Sequence, residues 1–233
     1  MAEHLPVGLR DLYRRLLLAD MQRRLPGKDG DHQDRISEED LARLLGGASA
    51  LALSESADDR TAAYEIATRT VSLRDGLSPS LLKTTDILLS RLGNFPGRQL
   101  LRDRYGEAFM DQPVAPYLQL EVLAREVENT VADRAGGTRP LTDFQVGTLD
   151  AFNEASAVSV SAPTSAGKSF VLSLEVIRKL LEQPQAAVAY VVPTRALIRQ
   201  VVLTLRRDLR KSGLAHIPLR SIPTPIAREA APD

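Results

Sequence analysis

The chain has 233 residues, 43% of them hydrophobic, enough for one large domain or two small ones with a buried core. Lys plus Arg number 30 and Asp plus Glu number 30, so no whole-molecule attraction to nucleic acid exists and any such binding falls to a local patch. There are no cysteines, which excludes disulfides and thiolate metal sites and suits a reducing cytoplasm.

The absence of a run of about 18 apolar residues argues against a membrane-spanning helix. The first residues mix acids and bases and lack the apolar core of a secretion signal. Aromatics make up 4% with no Trp, so a stacking platform for single strands is not evident.

Residues 1–139 read as a mainly helical domain. Leu9, Leu12 and Leu16 recur at helical spacing. Ser37 before Glu38, Glu39 and Asp40 marks a helix start leading into Leu41, Leu44 and Leu45. Ala48 to Leu73 is Ala-rich and, past it, Ser78-Pro79 opens a further helix to about Leu92. Residues 28–34 and Gly93 to Gly97 read as loops. Leu120, Leu123, Val127 and Val131 mark an amphipathic helix expected to stop near Gly136-Gly137. No fixed-period repeat and no nucleic-acid motif appears in this half, which suits a scaffold or interaction domain able to dock a protein partner.

The character changes at about residue 140. Thr142 can cap a helix from Asp143 to about Asn153. Val158 and Val160 alternate with small polar residues as in a short strand. Phe170, Leu174, Ile177 and Leu181 share one helical face, and Ala186 to Val192 is an apolar run of strand length. Leu197, Val201, Leu205 and Leu209 then recur every four residues. Strand, helix, strand, helix is the order of a βαβ unit with a parallel sheet. The expected fold class is therefore α/β. A helical domain, 1–139, precedes the incomplete beginning of a parallel sheet, 140–233.

Between the first expected strand and its helix stands Ala-Pro-Thr-Ser-Ala-Gly-Lys-Ser, residues 162–169. It fits the phosphate-loop pattern G-x-x-x-x-G-K-[ST], with Ala162 in place of the first Gly. Consecutive backbone N–H groups and the partial positive charge of the following helix suit an anion, and Gly167 permits close backbone approach. Lys168 can reach β- and γ-phosphates, and the Ser169 hydroxyl can ligate Mg²⁺. A Gly-Lys-Ser tripeptide alone is a weak signal; strand–loop–helix context gives it meaning.

Upstream lies Leu-Thr-Asp-Phe-Gln, residues 141–145, and downstream Pro193-Thr194-Arg195 follows the second apolar run. In this order, residues from about 140 to 212 resemble the Gln motif, motif I and motif Ia that begin the first RecA-like domain of superfamily 2 helicases, the DExD/H-box class. The wording of residues 161–169 is more similar to the DExH branch. The resemblance implies ATP and Mg²⁺ as cofactors and DNA or RNA as partner. It implies that Gln145 binds adenine, and that Thr164, Ser165, Ala166, Gly167, Lys168 and Ser169 hold the phosphates. Lys168 would be catalytic and Ser169 a metal ligand. Pro193, Thr194 and Arg195 would contact the nucleic-acid backbone. Helical extensions of this kind occur on helicases of bacterial defence systems, which makes that setting one expectation.

Each residue also has a plainer reading. Gln145 can be a polar residue on an amphipathic helix, and Thr194 a helix cap. Arg199, Arg206, Arg207, Arg210 and Lys211 form a basic cluster that is either a solvated face or a second backbone contact. His4, His32 and His216 are scattered, and Ser161, Ser165 and Ser169 lack a His in pattern, so neither a zinc site nor a hydrolase triad is indicated.

The family's acidic D-E-x-D/H motif is missing. After Val192 the acids are Asp208, Glu229 and Asp233, none behind an apolar strand; Glu38-Glu39 and Asp58-Asp59 precede the loop. The expectation is a piece of a longer protein, or one completed by another segment, that binds nucleotide but hydrolyses it poorly alone. Two other classes stay open. One is a phosphate-loop ATPase not acting on nucleic acid, separable by nucleic-acid stimulation. The other is a non-catalytic interaction module with a vestigial site, separable by Lys168→Ala.

Overall fold

The computed structural model describes residues 5–24, 36–73, 76–132, 138–163 and 166–222. The chain divides into two compact units: Met1–Val131 with Thr138–Val146, and Ala132–Gly137 with Gly147–Asp233.

The first unit is a helical bundle. It contains α1 (Val7–Arg24), α2 (Glu38–Leu51), α3 (Ala57–Leu73), α4 (Pro79–Arg91), α5 (Phe95–Tyr105) and α6 (Pro116–Glu128), with a 3-10 turn at Ala108–Asp111. Ser37 starts α2 as expected, its hydroxyl accepting the Asp40 N–H at 3.1 Å. Pro79 occupies the first turn of α4, where its missing N–H costs nothing. α2 packs on α3 and α4, and α1 on α3. Their facing apolar side chains, including Leu16, Leu41, Leu44, Leu45, Ile66 and Leu88, form one continuous buried core.

Two expectations for this half need correction. Gly93 to Gly97 is not all loop: Asn94 accepts the Gly97 N–H at 3.0 Å and caps α5, which starts at Phe95 with Pro96 in its first turn. The helix through Leu120 stops at Glu128, not near Gly136. β-branched Thr130 and Val131 instead enter β1 (Thr130–Ala132), which pairs with β2 (Thr138–Pro140). The apolar stripe of α6 also faces outward, with Leu120 68% and Val127 76% exposed. The expected loop at 28–34 lies outside the described residues.

α7 (Asp143–Glu154) begins in the first unit and ends in the second. The rest of the second unit contains α8 (Lys168–Glu182) and α9 (Arg195–Lys211). Their C-terminal halves meet through Leu180, Leu209 and Leu214, flanked by Val176, Ile177, Leu181 and Ile217. The parallel sheet expected here is not formed among the described residues. Val158–Val160 and 186–192 carry no strand pairing, and the only sheet among those residues is β1–β2. A strand is held by hydrogen-bonded neighbours and by cover on its faces. The 186–192 run has no strand partner among the described residues and is mostly exposed, Val191 to 88%. No described helix is long and apolar enough to cross a membrane.

Candidate functional site

The phosphate loop leads into α8 through Gly167, whose φ of 83° and ψ of 24° place it in the left-handed region. A side chain is strained there, so glycine is what lets the chain turn from loop to helix in one residue. Gly167 O then accepts the N–H groups of Phe170 and Val171 at 3.0 and 3.1 Å, and Ala166 N–H donates to Pro163 O at 3.1 Å. Lys168, the first residue of α8, folds its ammonium back over the loop. Nζ donates to Pro163 O at 2.7 Å and to Ala162 O. Ser169 is exposed. Thr164 and Ser165 lie outside the described residues.

This arrangement fits a nucleoside triphosphate. A cation rests on two neutral carbonyls, with no carboxylate bonded to it among the described residues, beside a helix N-terminus of favourable sign. A triphosphate would offer that ammonium a stronger, charge-assisted partner. No group of three or more His, Cys, Asp or Glu able to hold a metal exists among the described residues. Mg²⁺ prefers one or two protein oxygens plus substrate phosphates, so it would arrive with the nucleotide and take the Ser169 hydroxyl as protein ligand.

Gln145 belongs to the first unit, the phosphate loop to the second. Gln145 is buried and engaged locally. Its Oε1 accepts the Thr142 N–H at 3.0 Å, while the Gln145 N–H donates to Thr142 Oγ1 at 3.3 Å. That reciprocal pair is a capping box, which satisfies donors the first turn of α7 would otherwise leave open. The Thr142 half of this cap is the expected one; the Gln145 half completes the Thr-x-x-Gln pattern.

The sequence alone gives no sign of the role of Asp143. Its carboxylate accepts two bonds from Arg125 Nη2 at 2.6 and 2.7 Å, one from Asn129 Nδ2 at 2.9 Å and one from Arg60 Nη2 at 3.4 Å. Its N–H donates to Gly93 O at 3.1 Å. Gly93 has φ +62°, and a Cβ built on it would fall 1.9 Å from Asp143 Oδ1, so two independent reasons require glycine there. Burial pulls the Arg125 pKa down, but the bonds and charge of Asp143 and Glu128 outweigh this and hold it above its ordinary value. α3, α6 and the turn after α4 thus fix the first turn of α7, two residues from Gln145.

Pro193, Thr194 and Arg195 are exposed at the start of α9. Thr194 holds the cap position in extended geometry, yet its side chain makes no capping bond. The cap reading of that hydroxyl is therefore not realised. Arg199, Arg206, Arg207, Arg210 and Lys211 are all exposed along the same helix.

Residues 142–223, about a third of the chain, match the DEAD/DEAH box helicase family. No curated protein and no solved structure matches the chain. The family match supports a DExD/H-box helicase segment, a RecA-like fold for it and a helicase-type, ATP-dependent function; members of that family generally use ATP and Mg²⁺ and bind nucleic acid.

Proposed function

We propose that the chain binds ATP·Mg²⁺ at Ala162–Ser169 and serves as the ATP-binding part of a nucleic-acid helicase or translocase. The observation that carries the reading is Lys168: an ammonium whose bonds among the described residues go to the carbonyls of its own loop, at the head of α8, inside the segment that matches the helicase family. Thr164 to Ser169 hold the phosphates, Gln145 reads the adenine, and Pro193, Thr194 and Arg195 touch the DNA or RNA backbone. The wording of residues 161–169 favours the DExH branch. Residues 1–139 act as an accessory domain for partner or substrate choice, and a bacterial defence system is one setting for such an extension. The closed core of the helical unit supports the accessory role.

Titration calorimetry with ATP·Mg²⁺ tests this. Lys168→Ala removes charge-assisted bonds worth about 1.5–3 kcal/mol, so affinity should fall roughly 10- to 100-fold while helical content is unchanged. Equal affinity of wild type and variant would sink the reading and favour a vestigial site. With no acidic motif after the loop, hydrolysis by this chain alone should stay near background.

A further inference from the structure

The six basic residues of α9 are not one cluster. At about 100° per residue, Arg195, Arg199, Arg206 and Arg210 fall within roughly 60° of arc. Arg207 and Lys211 lie outside that arc, and Asp208, the one acid of the helix, points roughly to the opposite side. Leu205 and Leu209 are buried, which fixes the rotation of the helix and leaves the four arginines exposed. None of the four has a carboxylate partner among the described residues, whereas Arg207 Nε is paired with Asp208 at 3.1 Å. From Arg195 to Arg210 the row runs about 22 Å at 1.5 Å rise per residue.

We infer that this four-arginine row is a track for a nucleic-acid phosphodiester backbone, extending the contact from Pro193-Thr194-Arg195 to the far end of α9. The inference rests on the nucleic-acid part of the reading above. Four guanidiniums, each able to bind a phosphate through two N–H groups, form a straight line, and a straight line of anions is what a nucleic-acid strand presents. A membrane surface would need a broad apolar face beside the charge, but the large apolar side chains on that flank are limited to Leu203. The overall neutrality of the chain hides this local excess. α9 carries Arg195, Arg199, Arg206, Arg207, Arg210 and Lys211 against Asp208 alone.

The test uses the whole chain and a fluorescent oligothymidine of about 20 nucleotides, with an RNA of equal length, followed by anisotropy across a salt series. The triple variant Arg199→Gln, Arg206→Gln, Arg210→Gln should weaken binding at least tenfold and lower the slope of log affinity against log salt by about 2, near 0.7 for each phosphate no longer neutralised. The double variant Arg207→Gln, Lys211→Gln, which removes charge outside the row, should change the slope by less than about 0.5. Both should bind ATP·Mg²⁺ as the parent does. Similar weakening per charge in the two variants, or a triple variant that binds like the parent, would overturn the track and leave the helicase reading standing. Polyglutamate that competes as well as the oligonucleotide at equal charge would overturn it in favour of an acidic protein surface. A parent chain that binds ATP but no DNA or RNA would overturn both the track and the nucleic-acid reading.

Discussion

The two units treat charge and apolar surface in opposite ways. In the helical unit, leucines and alanines of the first four helices close one core, and its most buried ions are paired. Arg98 is the clearest case. It bonds Asp86 through two parallel contacts at 2.9 and 3.0 Å, reaches Glu126 at 3.2 Å, and lies 5.4 Å from the centroid of Phe95. In the other unit, Leu180, Leu209 and Leu214 form the core, the apolar run at 186–192 is mostly exposed, and four arginines stand in a row without carboxylates among the described residues. A group already satisfied holds a fold together. A charge left with weak partners is available to a ligand. On the proposed function, the first unit would be the scaffold and the second the surface that would meet nucleotide and strand.

Breaking one ion pair in each unit would expose the contrast most strongly. Asp86→Ala removes the main partner of a guanidinium that is 3% exposed, and stranding such a buried charge costs about 3–5 kcal/mol. The counterpart is Glu175→Ala, which removes the carboxylate that Arg178 bonds at 2.7 and 2.8 Å. Arg178 is 34% exposed and can turn to water, so about 0–1 kcal/mol is expected. Urea unfolding followed by circular dichroism gives both values. Equal destabilisation would mean that the second unit is as tightly determined as the first.

What could be read in the sequence followed the same division. Helix starts set by local chemistry were legible: Ser37 with its acids, Ser78-Pro79, and Thr142 each stand where expected. The turn at Gly167 into α8 was legible because the pattern specifies a backbone shape as well as residue types. Two kinds of feature were not. The outward stripe of α6 has the same periodicity as an inward one, since period alone does not say which side the neighbours occupy. Asp143 is polar and half-exposed, and its importance comes from Arg60, Asn129, Arg125 and Gly93, which lie far from it in sequence. The strands at 158–160 and 186–192 failed for a related reason. Their apolar pattern states a preference, but pairing needs partners elsewhere.

Alkaline titration probes the scaffold alone. Tyr13 is 2% exposed and donates to Glu65. Burial first, then the bond to Glu65 and its charge, push the phenol from 10.0 up to about 12, with Arg69 opposing. The folded state therefore keeps its proton where the unfolded chain has lost it. This contribution is intact below pH 10 and disappears as pH rises through about 12, with a size near 2–3 kcal/mol. Tyr13→Phe should flatten the fall in stability between pH 10 and 12. An unchanged slope in the variant would show that the fall arises elsewhere.

The smallest effect addresses Gln145, which stands with the scaffold by its bonds and with the nucleotide by its proposed role. Gln145→Ala breaks the capping box and should cost about 1 kcal/mol, while also lowering preference for ATP over GTP. Gln145→Glu separates the two contributions. A carboxylate can still accept the Thr142 N–H, and its charge suits a helix N-terminus, so the capping bond should persist. The amide N–H₂ donor is gone, however, and an adenine that needs it would bind more weakly. Competition between ATP and GTP on the Glu variant therefore reads recognition with the cap intact. Retained preference for ATP in that variant would leave Gln145 a cap and nothing more, and the base would have to be read by another residue.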